Sequence, residues 1–190
     1  MAGKRYIVKQ IFRAWAAARV NHAMKNILSI AGTDPTGGAG LQADVKSISA
    51  LGGYAMGVVT ALVAQNTQGV RAIHTPPTEF LRQQLDAVSD DVRIDGLKIG
   101  MLGNRAVINE VGDWLHHNRP PVVVLDPVMV ATSGDRLLDA DALTALIELL
   151  DSVDVVTPNL PELALLLDCD EADTWPVALA QGQQLAARHG

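Results

Sequence analysis

Ile27-Leu28-Ser29-Ile30-Ala31-Gly32-Thr33-Asp34-Pro35-Thr36-Gly37-Gly38-Ala39-Gly40-Leu41-Gln42-Ala43-Asp44-Val45-Lys46-Ser47-Ile48 is the stretch on which the fold turns. Ile27–Ile30 is a short apolar run and reads as a buried strand. Leu41, Val45 and Ile48 recur at helical spacing, so a helix runs from Leu41 to Leu51, where Gly52-Gly53 ends it. Between them lies a loop of glycine, proline and short polar residues. The same strand–loop–helix sentence repeats outward along the chain. Valine-rich Met56–Val63 predicts a second strand, and Thr78–Val88 a helix with Phe80, Leu81, Leu85 and Val88 on its inner face. Ile94–Ile99 predicts a third strand. Asn104 predicts a capped helix to about His117, with Val107, Ile108, Val111, Trp114 and Leu115 inward. Val122–Leu125 is too short for anything but a fourth strand. Asp139 predicts a cap for a helix through Leu150, Val153–Val156 a fifth strand, and Leu160–Leu167 and Val177–Arg188 two last helices. Apolar strands alternating with helices mean an α/β fold, a mostly parallel sheet with helices on both faces.

Composition agrees with that class. Of 190 residues, 48% are hydrophobic and 19% charged, enough to bury a core and too few charges for disorder. No run of 18 apolar residues occurs, so no membrane span is expected. Fifteen basic against 21 acidic residues give −6, which argues against a nucleic-acid surface, and 4% aromatic residues are too few for base stacking. Cys169, the one cysteine, excludes an internal disulfide and a cysteine-built zinc site, so a reducing, cytoplasmic setting is expected. Residues 1–23 carry Lys4, Arg5, Lys9, Arg13 and Arg19 and no acid. Arginines break every apolar stretch there, so the segment reads as a basic N-terminal extension and not as a secretory signal. Residues 24–190 read as one domain.

Ligands of a parallel sheet bind beyond the carboxyl ends of its strands. Five loops on that one rim are unusual: Gly32–Gly40, Gln65–Gly69, Gly100–Gly103, Asp126–Asp135 and Thr157–Glu162. Gly38-Ala39-Gly40-Leu41-Gln42-Ala43 fits G-x-G-x-x-A, but it starts too far from Ile30 for a dinucleotide site. The second strand ends near Gln65, where a ribose-binding acid would stand, and no Gly-Lys-Ser/Thr follows, so there is no P-loop. What remains is a glycine loop expected to aim its amides into the cleft at a helix N-terminus, toward a polar or anionic ligand group. Asp44, read in the first turn of that helix, either complements its dipole or accepts from a ligand amino group. Asp126 and Glu162 are turn and cap residues that also suit Mg²⁺ beside phosphates. His116 and His117 fall at a helix C-terminus and are not expected to bind metal.

These loops resemble, in order, the motifs of the hydroxymethylpyrimidine/phosphomethylpyrimidine kinases of thiamine biosynthesis. The matching stretches are Ile30–Lys46, Thr60–Thr67, Lys98–Leu102, Val124–Met129 with Ser133-Gly134-Asp135, and Thr157–Glu162. The resemblance implies a ribokinase-like fold and an ATP- and Mg²⁺-dependent phosphorylation of 4-amino-5-hydroxymethyl-2-methylpyrimidine and then of its monophosphate. It implies that Gly32, Asp44, Gln65, Met101 and Val128 surround the pyrimidine. Asp126, Thr157, Asn159 and Glu162 then serve the nucleotide, with Asp126 and Glu162 toward Mg²⁺, and a homodimer is implied as well. Pyridoxal kinase is a close relative that shares the Thr-Pro-Asn start of the last motif. The extended Gly-Gly-Ala-Gly-Leu-Gln-Ala-Asp signature favours the pyrimidine enzyme.

The sequence departs from the family at one end. Members continue through a strand ending in Lys-Gly-Gly and a Gly-Thr-Gly-Cys motif that supplies the anion hole and the catalytic residue; this sequence stops at Arg188-His189-Gly190, and Cys169 does not stand in. The fold is therefore expected to be C-terminally truncated, no catalytic residue is assigned, and a non-catalytic pyrimidine-binding module is the alternative function.

Overall fold

A computed structural model describes residues 24–130, 134 and 137–189. The basic segment 1–23 and two residues of the fourth motif, Ser133 and Asp135, lie outside the described residues.

Among the described residues, seven strands and six α-helices follow one another. They are β1 (Asn26–Ala31), α1 (Gly40–Ala50), β2 (Tyr54–Val59), β3 (Leu62–Asn66), β4 (Gly69–His74), α2 (Thr78–Ser89), β5 (Gly96–Ile99), α3 (Arg105–His117), β6 (Val123–Leu125), α4 (Leu143–Leu149), β7 (Val155–Val156), α5 (Leu160–Leu167) and α6 (Trp175–His189). Five strands form one parallel sheet in the order β2-β1-β5-β6-β7. The parallel α/β reading therefore holds.

Strand alternation decides which face each residue serves. Ser29 of β1, Lys98 of β5 and Gly57 of β2 lie level with one another and face α1. Gly57 is there because α1 lies so close: a Cβ on it would sit 2.7 Å from Leu41 Cδ1. Leu28 and Ile30 face the other way, into a core with Leu81 and Leu85 of α2 and Val107, Val111 and Trp114 of α3. Trp114 is fully buried, and its indole N–H donates to Ser89 Oγ at 3.4 Å. Emptying that site would cost roughly 3–5 kcal/mol. Asn104 caps α3 by accepting from the Val107 amide at 2.9 Å, as its position before the apolar pattern predicts.

Three expectations fail. The second strand is not one run to Val63: β2 stops at Val59, and Leu62 opens a separate antiparallel hairpin, β3–β4. The break is a hydrogen-bond event with no glycine or proline to announce it. The Thr60 amide still reaches Ala31 O on β1, but Ala61 O turns to the Thr33 amide. Gln65 and Asn66 are accordingly strand residues and not a loop. Asp139 caps nothing; α4 begins at Leu143 after a turn and leads into a short 3₁₀ segment, Leu150–Ser152. Phe80 is about half exposed, because the inner face of α2 is set by Leu81 and Leu85, with Val88 packed beside them. At the sheet's β2 edge, the Gln84 amide accepts from Val59 N and donates to Val59 O, giving the edge strand a side-chain partner.

Candidate functional site

In this strand order β1 is the switch point: the chain leaves it to one side for β2 and fills the other side with β5, β6 and β7. Ligand clefts open at such a point, beyond the carboxyl ends. Gly32 follows β1 and Met101 follows β5, so the switch point brings these two together. A Cβ on Gly32 would lie 2.9 Å from Met101 Cε, closer than real contacts allow. Only glycine leaves Met101 where it is. Met101 is held from behind as well, since the buried Thr60 hydroxyl donates to Met101 O at 2.6 Å. Met101, Ala61 and Val63 form a small apolar cluster of their own, with Val128, Val70 and Leu137 packed on it. Gly32, Met101 and Val128 are thus neighbours, as their shared reading requires.

Asp44 is placed differently. It lies one turn into α1, beyond its first turn, so it does not complement the helix dipole. Its Oδ2 accepts from Ser29 Oγ at 2.7 Å and pairs with Lys98 Nζ at 2.9 Å. A carboxylate assigned from sequence to a ligand therefore also ties α1 to β1 and β5. Oδ1 has no hydrogen-bond partner among the described residues. Lys98 was not singled out in the sequence, although an isolated lysine in an apolar strand is a signal that a counter-charge must face it.

The glycine loop overturns a second expectation. Its amides are turned inward and do not point into the cleft. Asp34, only 2% exposed, sits at the loop's centre. Its carboxylate accepts from Thr36 N at 2.9 Å, Thr36 Oγ1 at 2.8 Å, Gly38 N at 3.0 Å and Ala39 N at 2.8 Å. Gly37 N donates to Asp34 O, and Leu41 N to Gly32 O. The anion that these amides serve is the chain's own. Burial pushes the Asp34 carboxyl up, but hydrogen bonds from the Gln65 side chain, from Thr36 and from the Ala39 amide outweigh it and lower it to about 2. Gly40 closes the loop with φ +54°, where a Cβ would strike Gly32 O at 2.4 Å. Asp34 was missed in the sequence because Asp-Pro-Thr reads as ordinary turn chemistry.

Gln65 stands on β3 immediately after a bulge between Ala64 and Gln65. Bulges re-aim side chains, and the Gln65 side chain is among the groups that lower the Asp34 carboxyl. The outer face of the hairpin, with Thr33 and Pro35, lines an open depression of about 450 Å³.

The other sequence-assigned residues gather at the ends of β6 and β7. Asp126 N donates to Ile99 O and Thr157 N to Leu125 O, so strand register fixes both. Asn159 and the buried Glu162 form a reciprocal cap on α5. Asn159 N donates to Glu162 Oε2 at 2.8 Å, and Glu162 N donates to Asn159 Oδ1 at 2.9 Å. Because β6 and β7 are adjacent, Asp126 at the end of β6 neighbours the loop that leads from β7 into α5, whose first turn carries Glu162. No group of three or more histidine, cysteine or acidic residues forms a metal cluster among the described residues. His116, His117 and Cys169 are exposed and away from this rim. No described helix is long and apolar enough to cross a membrane.

A family model described as phosphomethylpyrimidine kinase matches residues 34–190. The chain is 60% identical over 163 residues to the thiamine biosynthesis multifunctional protein ThiED of Corynebacterium glutamicum, covering 86% of this chain and 21% of that protein. It is 52% identical over 163 residues to the hydroxymethylpyrimidine/phosphomethylpyrimidine kinase of Salmonella typhimurium, covering 85% of this chain and 61% of the relative. It thus spans only part of the length of these relatives. Among solved structures it resembles phosphomethylpyrimidine kinase from Clostridium difficile, with TM-score 0.80, 36% identity and coverage of 86% and 71% of the two chains. It also resembles a Bacillus subtilis pyridoxal kinase solved with ADP, with TM-score 0.80, 31% identity and coverage of 88% and 64%.

Proposed function

The chain belongs to the phosphomethylpyrimidine kinase family, and from that premise we propose that it serves the ATP-dependent phosphorylation of 4-amino-5-hydroxymethyl-2-methylpyrimidine and of its monophosphate in thiamine biosynthesis. What carries the reading is the meeting of Gly32 and Met101 at the switch point, with Val128 on the same apolar cluster. A flat ring needs such a wall, and Gly32 leaves backbone where a side chain would exclude it. Asp44 Oδ1 and the Gln65 amide supply the polar edge for an aminopyrimidine. Lys98 holds the Asp44 carboxylate in place, so a ligand amino group meets a fixed acceptor.

The nucleotide belongs at the ends of β6 and β7, with Asp126, Thr157, Asn159 and Glu162. Mg²⁺ keeps most of its waters and takes one or two carboxylates beside phosphates. Asp126 at the end of β6 and Glu162 in the first turn of α5 suit that donor set, directly or through water, and Glu162 Oε2 is already anchored on Asn159 N. When bound there, the ion neutralises charge on the transferring phosphoryl group. The chain's own part is positioning: it holds the hydroxymethyl oxygen beside the strand ends that present the phosphates. Residues 24–190 act as one kinase domain in this reading, in the cytoplasm and as a homodimer.

The test is an ADP-release assay on this chain with the pyrimidine alcohol, its monophosphate and pyridoxal. The proposal expects turnover with both pyrimidines in preference to pyridoxal. Equal or greater turnover with pyridoxal would make it a pyridoxal kinase. Pyrimidine binding without turnover would leave a binding module.

A further inference from the structure

Asp34 is the most heavily bonded side chain in the loop, and the proposed chemistry gives it no role. Its carboxylate gathers Thr36, Gly38 and Ala39, while its amide donates to Gln42 Oε1 at 2.7 Å, which fixes the loop to α1. The next residue toward β1 reaches the other way. Thr33 N donates to Ala61 O at 2.9 Å, and Val63 N donates to Thr33 Oγ1 at 2.9 Å. The Gln65 side chain is among the groups that hold the Asp34 carboxyl low. Ala61 immediately precedes the hairpin and Val63 lies on its first strand, so Thr33 ties the loop to the start of the hairpin by two bonds. Ala61 and Val63 are also the residues on which Met101 and Val128 pack.

We infer that Asp34 is a positioning residue: its carboxylate locks the Thr33–Gly40 loop and the first hairpin strand into one wall of the proposed ring site, touching no substrate itself. The inference rests on the pyrimidine reading of that site. The charge matters more than the shape. An asparagine at 34 would aim an NH₂ group at amides and a hydroxyl that all donate, so at least one arm of the loop would come away. The Thr33 bonds to Ala61 and Val63 would then loosen, and the wall on which Met101 and Val128 pack would lose its position.

The experiment uses the full chain, Asp34→Asn and Thr36→Val; the last removes one donor and keeps the charge. Hydrogen–deuterium exchange is read at Gly38, Ala39 and Val63, with Val107 and Ile108 of α3 as internal reference. Calorimetry measures the pyrimidine alcohol and ATP–Mg²⁺ separately. In Asp34→Asn, exchange at all three loop and hairpin amides should rise at least tenfold and the reference amides should not change. The pyrimidine Kd should rise tenfold or more while the ATP–Mg²⁺ Kd stays within twofold. Thr36→Val should move the same quantities less, and it decides the matter if Asp34→Asn does not fold. Faster exchange at Gly38 and Ala39 with Val63 unchanged would overturn the link to the hairpin. Equal weakening for both ligands would reduce Asp34 to a general stabiliser. If the parent chain does not bind the pyrimidine, the ring-site reading fails, and the exchange arm still decides whether Asp34 couples loop to hairpin.

Discussion

The loop after β1 and the rim after β6 and β7 use the same residue types, glycine, proline and short polar side chains, yet they hold their shape by different means. The first closes over a buried carboxylate and spends its amides on Asp34. The second is held by strand register and by the Asn159–Glu162 cap. The difference teaches that a glycine-rich loop at a helix start is not by itself an anion cradle. Here the anion is built in, which suits the β1 side to an uncharged ring and leaves charged phosphates to the other end of the rim.

The contrast breaks first at the glycines. Gly40→Ala puts a Cβ 2.4 Å from Gly32 O at φ +54°, whereas Gly134, in the loop after β6, has φ +94° and nothing within 4 Å. Gly40→Ala should cost about 3 kcal/mol or more and Gly134→Ala about 1 kcal/mol. Thermal melting should therefore fall by roughly 6–12 °C in the first and by roughly 2–4 °C in the second. Equal losses would mean that the β1 loop is no tighter than the rim.

The second test concerns Asp44. Asp44→Asn keeps the shape but strands Lys98, a pair only about one-fifth exposed. It should weaken pyrimidine binding about tenfold or more and destabilise the chain by about 2 kcal/mol. Lys98→Met in the same chain should recover part of the stability and none of the binding. Recovery of both in calorimetry would show that Asp44 is purely structural.

Most of the frame behind these tests was legible in the sequence. The apolar run Ile27–Ile30 is strong because β1 is buried on both faces, and the periods of Leu41–Ile48 and Val107–Leu115 are strong because each helix turns one face to the sheet. The end of β2 was not legible, since Val58-Val59-Thr60-Ala61-Leu62-Val63 runs on without a glycine or proline and only a change of hydrogen-bond partner separates sheet from hairpin. The gathering of Gly32, Met101 and Val128 followed from strand-end positions, which any parallel sheet brings to one rim. The inward turn of the loop amides did not, because it depends on where one short side chain, Asp34, points, and Asp-Pro-Thr is compatible with either direction. The Lys98 partner of Asp44 is a contact between a helix and a strand 54 residues apart, outside the reach of local pattern.

A third test sharpens the comparison by pH. The Asp34 carboxyl is lowered to about 2 in the folded chain from an ordinary carboxylate value near 3.8. Its contribution of about 2 kcal/mol is therefore complete above pH 4 and lost as pH falls through about 2. Asp34→Asn should melt lower than the parent at pH 6 and lose less of its melting temperature between pH 4 and pH 2. Parallel curves for the two chains would show that Asp34 is not held as the ionised acceptor.

The account's central claim is that ring and nucleotide occupy opposite ends of one rim, and methyl NMR tests it most directly. Spectra of the chain labelled at methionine, valine and leucine methyls would be followed while the pyrimidine alcohol and ATP–Mg²⁺ are added separately. The account predicts that the alcohol shifts Met101 and Val128, that ATP–Mg²⁺ shifts Leu160 and Leu163, and that neither set follows the other ligand. Shifts of Met101 and Val128 with ATP–Mg²⁺ alone, or none with the pyrimidine alcohol at saturation, would contradict it.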